Sequence, residues 1–552
     1  MHRPAQLIAL RPNAIAPIAL AMVVALAIFA AAATPAVAAG PEPKHWFPAG
    51  VQRGATADVT VGGNFPKWPV GVWVDRSGLT VTPGEKGKLS IAAAADAQPG
   101  VYWIRLYDAD AAAPPRPFVV GTLTDVSEKE PNNAPTEAHS VDASVVVNGR
   151  LSSGGEVDTF AVALTKGQTL VASLMGHETL GSPFDAVLQI VAPQGNVLAY
   201  NHDHGGLDPQ IVFVAPTDGN YLVRTFAFPS NPNSTIGFAG ADTFVYRLTL
   251  TTGPFVDYVW PMAIRADEES SVALHGWNLS EALGAKTLVG AIPSVAVFDP
   301  RLANTIALAV EPHAAIAESD SEEAPLAIQL PITVTGRIAA RGDQDTYTFD
   351  ATKGEAFSFE LASRSLGYPL DGVLEVTDGD GKSLARVDDV GSTRDPVLAF
   401  TAPADGTFRV TVSDLYGHGS DRHVYRLRAT KVVPDFSVTT DQHAYVLVAG
   451  KPTEITLSIA RQGGFAEPIS FRVTGLPDFV TAAEATSAAT GDSAKAVKLA
   501  LTSNGGAFSG PIRIVGEATG DSKQVHEASA AIPDHEARTS DVWLTTIGGD
   551  SQ

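Results

Sequence analysis

The sequence predicts an all-β protein built of tandem β-sandwich domains, jelly-roll-like and immunoglobulin-like. Three observations predict this class. Short runs that alternate apolar and polar residues recur along the chain, among them "ADVTVGG" (57–63), "TFAVAL" (159–164) and "FRVTVSD" (408–414), while helical periodicity is scarce. Turn-forming residues separate these runs at roughly ten-residue spacing, as in sandwiches. The chain also matches itself over long stretches.

The clearest repeat sets "GEVDTFAVALTKGQTLVASL" against "GDQDTYTFDATKGEAFSFEL", with Asp158 opposite Asp345. Next, "SPFDAVLQIVAPQGNVLA" matches "YPLDGVLEVTDGDGKSLA", with Asp185 opposite Asp371. Then "DPQIVFVAPTDGNYLVR" matches "DPVLAFTAPADGTFRVT", with Asp208 opposite Asp395. Finally "YRLTL" at 246 matches "YRLRA" at 425. One β domain is therefore used twice, as B and B′. A fainter repeat precedes each copy: "FPAGVQRGATADVTVGGNF" (47–65) and "WPMAIRADEESSVALHGWNL" (260–279). The order is A–B–A′–B′, followed by a fifth region, C, that matches neither. The expected boundaries are 1–38 signal peptide, 44–125 A, 126–252 B, 254–317 A′, 318–431 B′, 433–532 C and 533–552 a weakly ordered tail. Serial sandwiches on short linkers suggest an extended rod.

Composition narrows the function. At 552 residues the chain exceeds one ordinary core. The formal net charge of −22 argues against nucleic acid or an anionic membrane as partner, because phosphate recognition needs clustered Lys and Arg. Cysteine is absent, which excludes disulfides, thiolate metal sites and a cysteine nucleophile. Arg3 and Arg11, the apolar run from Ala14 to Ala33 and the Ala36-Val37-Ala38 site read as a cleaved secretion signal, with an uncleaved anchor as the alternative. No later segment is apolar and long enough to span a bilayer, so no transmembrane span is expected after cleavage. The expected location is outside the cytoplasm: extracellular, cell surface or periplasmic.

Copies B and B′ resemble the bacterial pre-peptidase C-terminal domain. The likeness rests on the acidic-Asn lead "EKEPNN", the "VDTFAV" strand, the "DAVLQIV" strand and "APTDGNYLV". That resemblance implies a jelly-roll-like sandwich, an accessory of secreted peptidases and other exported proteins. Segments A and A′ resemble immunoglobulin-like folds of the plexin and transcription-factor type, and C resembles a bacterial immunoglobulin-like accessory domain.

The stretch "SEKEPNNAP" (127–135) is the main candidate site. Glu128, Glu130, Asn132 and Asn133 offer side-chain oxygens over six residues, the donor type that calcium takes. The alternative is a solvated interdomain linker, since Glu, Pro and Asn are ordinary there. The resemblance to collagenase modules implies that this segment shares a calcium ion with Asp158. Two departures lower the charge: Asn133 replaces an acid, and Gly155 stands where an acid precedes the strand aspartate. The lead of B′, "ESDSEEAP" (318–325), lacks the Glu-x-Glu-Pro-Asn-Asn spacing. Because Asp345 persists regardless, Asp158 and Asp345 are expected to cap turns through backbone N–H groups. Calcium is thus expected in B and poorly or not at all in B′.

"NHDHGG" (201–206) invites zinc through His202 and His204, but B′ has no matching histidine, and a solvated turn is the better reading. Glycines 195 and 381 are expected to turn hairpins. Gly-x-Ser-x-Gly and His-Glu-x-x-His are both missing, so no enzyme is expected. The expected function is an exported, non-catalytic binding or adhesion protein presenting its modules to extracellular protein or polysaccharide. The alternatives are a spacer in a cell-surface assembly or an accessory of a secreted peptidase system.

Overall fold

The computed structural model describes residues 39–231, 237–290, 293–319, 325–389 and 394–548. The expected signal peptide, 1–38, lies outside these residues. Regular structure is almost entirely strand, in sheets that pack face to face. The protein is all-β, with tandem sandwiches.

B and B′ share one topology. In B, one sheet runs in the order His139–Ser140, Asp158–Leu164, Gly219–Pro229, Phe184–Val191, Val197–Asn201. The facing sheet runs Gln210–Val214, Thr169–Met175, Val245–Thr251, Val145–Arg150, Thr124–Ser127. B′ repeats both orders strand for strand. Alternation explains why these segments form half-buried strands. Along Gly219–Pro229, Tyr221, Val223, Thr225 and Ala227 point inward, while Asn220, Leu222, Arg224 and Phe226 are less buried. The B core gathers Phe160, Leu188, Tyr246 and Leu248, and the B′ core gathers Phe349, Phe357, Phe400 and Phe408. Burying each such side chain contributes about 1.5–3 kcal/mol. Gly195 and Gly381 take φ of 96° and 82° in the hairpin turns where the sequence placed them.

A is a pair of four-stranded sheets and A′ a pair of three-stranded sheets. C pairs a four-stranded sheet with a six-stranded one.

Four expectations need correction. Thr124–Ser127 pairs in parallel with Val145–Asn148, so it belongs to the B sheet and not to A. Ala314–Ala317 likewise pairs with Ile332–Thr335 and joins B′ rather than A′. Residues 533–548 are not a loose tail. Val542–Ile547 lies inside the larger C sheet, paired with Ala444–Val448 on one side and Phe508–Ile512 on the other.

The fourth correction concerns the rod. C packs back on A. Trp543, 1% exposed, meets Trp73 edge-on at 6.0 Å and Tyr107 at 4.8 Å. The buried Arg105 of A donates to Ala113 O at 3.0 Å and to His443 Nδ1 of C at 3.1 Å. Burial and that guanidinium push the His443 pKa down to about 4, which keeps the ring neutral and able to accept. Arg422 of B′ reaches both A′ and B: it binds Asp257 of A′ through Nε at 2.6 Å and its terminal nitrogen meets His204 of B at 2.9 Å.

Candidate metal centre

The segment 127–135 is part of the B sandwich. Glu128 continues the parallel pairing of the preceding strand, its N–H donating to Asn148 O at 2.9 Å. Its Oε1 accepts from the Arg150 N–H at 2.9 Å. Asn132 is fully buried, and its carbonyl accepts from Thr159 N–H at 3.1 Å. Glu130 Oε2 accepts from the Asn132 N–H at 3.0 Å. These bonds pin the segment against the strand Asp158–Leu164, so it is not a solvated linker.

The pinning brings three of the five predicted residues together. Glu128, Glu130 and Asp158 each offer a carboxylate oxygen, and these oxygens lie within 4.8 Å of one another. Calcium–oxygen distances of about 2.3–2.6 Å allow oxygens up to about 5 Å apart to share one ion. Asp158 is fully buried; its Oδ2 accepts from the Tyr246 hydroxyl at 2.5 Å, and its Oδ1 has no partner. Both amide atoms of Asn132 are buried without partners too. Asn133 is engaged elsewhere, its Oδ1 accepting from Val157 N–H at 2.9 Å. That bond ties Asn133 to the start of the strand that carries Asp158.

The electrostatics are one-sided. Burial and then the Glu128 charge push the Asp158 carboxyl well above the usual range. Burial likewise raises Glu128, with Glu130 and Glu156 adding to the rise. Glu130 is raised by burial and by Glu156. The acids acting on Asp158 are all neighbours of like sign, so the cluster either holds protons or holds a cation.

Two contributors were missed in the sequence. Tyr246 donates to Asp158 and, at 3.4 Å, to Glu128. Glu156 is buried and clamps the turn before the strand, accepting from Ser153 N–H at 2.6 Å and from the Ser152 hydroxyl. Both had a signal: the paired "YRL" runs mark Tyr246, and the 187-residue offset that pairs Asp158 with Asp345 also pairs Glu156 with Asp343.

The aspartate roles also change. Asp158 accepts from the Tyr246 hydroxyl and Asp345 from the Tyr425 hydroxyl, and the unpartnered Asp158 Oδ1 caps no turn. Capping falls to Asp208, which takes the N–H groups of Gly176, His177 and Glu178, and to Asp395, which takes those of Ser363, Arg364 and Ser365. His204 is not in a solvated turn: it faces the Arg422 guanidinium, and burial with that charge lowers its pKa to about 4. A zinc ion there would meet a fixed cation.

The sequence model of the bacterial pre-peptidase C-terminal domain matches residues 156–227 and 343–414. These are pre-peptidase C-terminal domains. The matched residues lie in B and B′, and 127–135 precedes the first match. Pre-peptidase C-terminal domains are non-catalytic accessory domains. Among solved structures, the chain is similar to the pre-peptidase C-terminal domain of a Bacillus anthracis collagenase, at 16% identity over 22% of this chain and 100% of that one, TM-score 0.17. It is similar to PliG of Aeromonas hydrophila, a periplasmic inhibitor of g-type lysozyme, at 15% identity over 19% and 95%, TM-score 0.16. It is also similar to fibronectin(III)-like modules of Clostridium thermocellum CbhA, at 12% identity over 36% and 90%, TM-score 0.14. No curated protein matches the chain. Among the described residues, no helix is long and apolar enough to cross a membrane.

Proposed function

We propose that this is an exported, non-catalytic binding protein whose sandwiches present surfaces to extracellular protein or polysaccharide, and whose first pre-peptidase C-terminal domain holds a calcium ion. The observation that carries the calcium reading is the convergence of Glu128, Glu130 and Asp158, with Asp158 Oδ1 buried and unpartnered. Oxygen donors of this kind suit a hard cation. An ion here ties the leading segment to the strand behind it and so stiffens the start of B. The binding reading is supported by the two accessory domains and the absence of hydrolase motifs.

Calorimetric titration of the mature chain with calcium tests the first part, with melting followed with and without chelator. No heat at millimolar calcium and an unchanged midpoint would remove the ion from the proposal. Pull-down of envelope and matrix components tests the second part. A spacer would return only its neighbours in the assembly, and a peptidase accessory would return a peptidase.

A further inference from the structure

A cavity of about 590 Å³ opens where A, B and C meet, away from the carboxylate cluster. Its size is that of small-ligand sites. Lys44 on strand Glu42–Phe47 and Arg116 on strand Arg116–Gly121 line it from A. His177, Ser182 and Thr243 line it from B, and Asp534 from the tip of a C hairpin. Leu180, Ala49 and Val245 supply an apolar floor.

The charge is reversed relative to the rest of the molecule. The chain has 60 acids against 38 basic residues, yet Asp534 is the single acid in this lining. Arg116 is mostly buried: its Nε donates to Pro43 O at 2.6 Å, and its terminal nitrogen stands 3.6 Å from Asp534. Asp534 itself is 68% exposed. His45, the residue beside Lys44, is lowered by burial first and then by Arg150, against a rise from Asp242. Trp46, 3% exposed, also lines the cavity, and its indole N–H lacks an acceptor. The group in shortest supply here is a negatively charged acceptor. The chain's own Asp534 carboxylate reaches for that role from the rim.

We propose that this three-domain cavity binds an acidic sugar, its carboxylate on Arg116 and Lys44 in place of Asp534, and its ring hydroxyls on the side of Thr243, Ser230 and Asn231. Serine, threonine and asparagine groups suit hydroxyl-rich ligands, whereas the Ser182 hydroxyl is buried and donates to Val245 O. The cavity's wall from C exists because the chain closes on itself. The hairpin tip sits on Gly181, where an added Cβ would lie 2.6 Å from His535, and His535 meets Trp103 of A edge-on at 5.1 Å.

This inference rests on the extracellular-binding reading for its setting and is independent of calcium. The test titrates D-glucuronate, glucose and N-acetylglycinate separately into the mature chain by calorimetry, with calcium titrated into the same preparation. Glucuronate is expected to bind about tenfold or more tighter than glucose, the value of one charge-assisted contact, and to weaken with added salt. Arg116→Gln should remove that preference. Asp534→Asn should tighten glucuronate severalfold, because the competing carboxylate is gone, and this exposed change does not threaten the fold. Equal binding of glucose, or no effect of Asp534→Asn, overturns the proposal. N-acetylglycinate binding as tightly as glucuronate overturns it in favour of a peptide terminus. Loss of sugar binding with calcium binding intact sinks the cavity alone and leaves the calcium reading standing.

Discussion

B and B′ have the same strands in the same order, yet the same corner of each sandwich is solved differently. In B′, Glu318 takes the place of Glu128: its N–H donates to Thr335 O at 2.9 Å, and its carboxylate accepts from the Arg337 N–H. Glu318 therefore stands in register with Glu128, at the start of a lead that lacks the Glu-x-Glu-Pro-Asn-Asn spacing. Residues 320–324 lie outside the described residues. The decisive difference is one atom inside the core. Tyr347 stands where B has Phe160. Its hydroxyl donates to Glu318 at 2.8 Å and bonds the Tyr425 hydroxyl at 2.6 Å, and Tyr425 donates to Asp345 at 2.7 Å. Two tyrosine hydroxyls thus serve the carboxylates of B′. In B, only Tyr246 stands between Glu128 and Asp158, and like charges crowd the remaining space. Among the described residues, one buried hydroxyl more in B′ links its two carboxylates through tyrosines, where the three carboxylates of B face one another.

Four experiments break or sharpen that contrast, taken from the largest expected effect down. Saturating B with calcium at a hundred times its dissociation constant should stabilise it by about 2.7 kcal/mol, and Asp158→Asn should abolish the gain. Melting of wild type and variant with and without chelator measures this. An equal calcium shift in both proteins would place the ion elsewhere.

Phe160→Tyr should rebuild the B′ network in B. The calcium shift should fall to near zero, while the metal-free protein gains about 1 kcal/mol from the new hydrogen bonds. Calorimetry with denaturant unfolding checks both signs, and undiminished calcium binding would refute the comparison.

The reciprocal change, Tyr347→Phe, should destabilise B′ by about 1–2 kcal/mol, since the Tyr425 and Glu318 partners lose a donor. Urea unfolding of the variant gives the value, and a neutral result would show that water replaces the hydroxyl.

The smallest effect is with pH. Raised carboxyl pKa values mean that the folded metal-free protein binds protons more tightly than the unfolded chain. The cluster's contribution to stability should therefore be fully present below about pH 4, the ordinary carboxylate range, and should be lost as pH rises through neutrality. Calcium should flatten the slope, by reversing the cost of ionised Glu128 and Asp158. A metal-free difference between wild type and Asp158→Asn whose slope has the opposite sign between pH 4 and 8 would mean the cluster is not strained by its own charge.

Part of the site was legible in the sequence. Glu128, Glu130 and Asp158 were named from donor type and resemblance, and they converge. For Asn133, only the fold shows that its Oδ1 accepts from Val157 N–H. Tyr246 lies 88 residues from the aspartate it serves, so no local spacing could link them. Phe160 looked like one more core residue, and its importance emerges only when Tyr347 is seen to fill the same place with an oxygen.

The strand pattern and the A–B–A′–B′ order were determined by the sequence, because side-chain alternation is local and a repeat needs only comparison of the chain with itself. The closure of C on A was decided in three dimensions. Arg105 and His443 are 338 residues apart, and neither residue carries a mark of the other. Such contacts arise from how finished sandwiches fit together, after each has already buried its own alternating face.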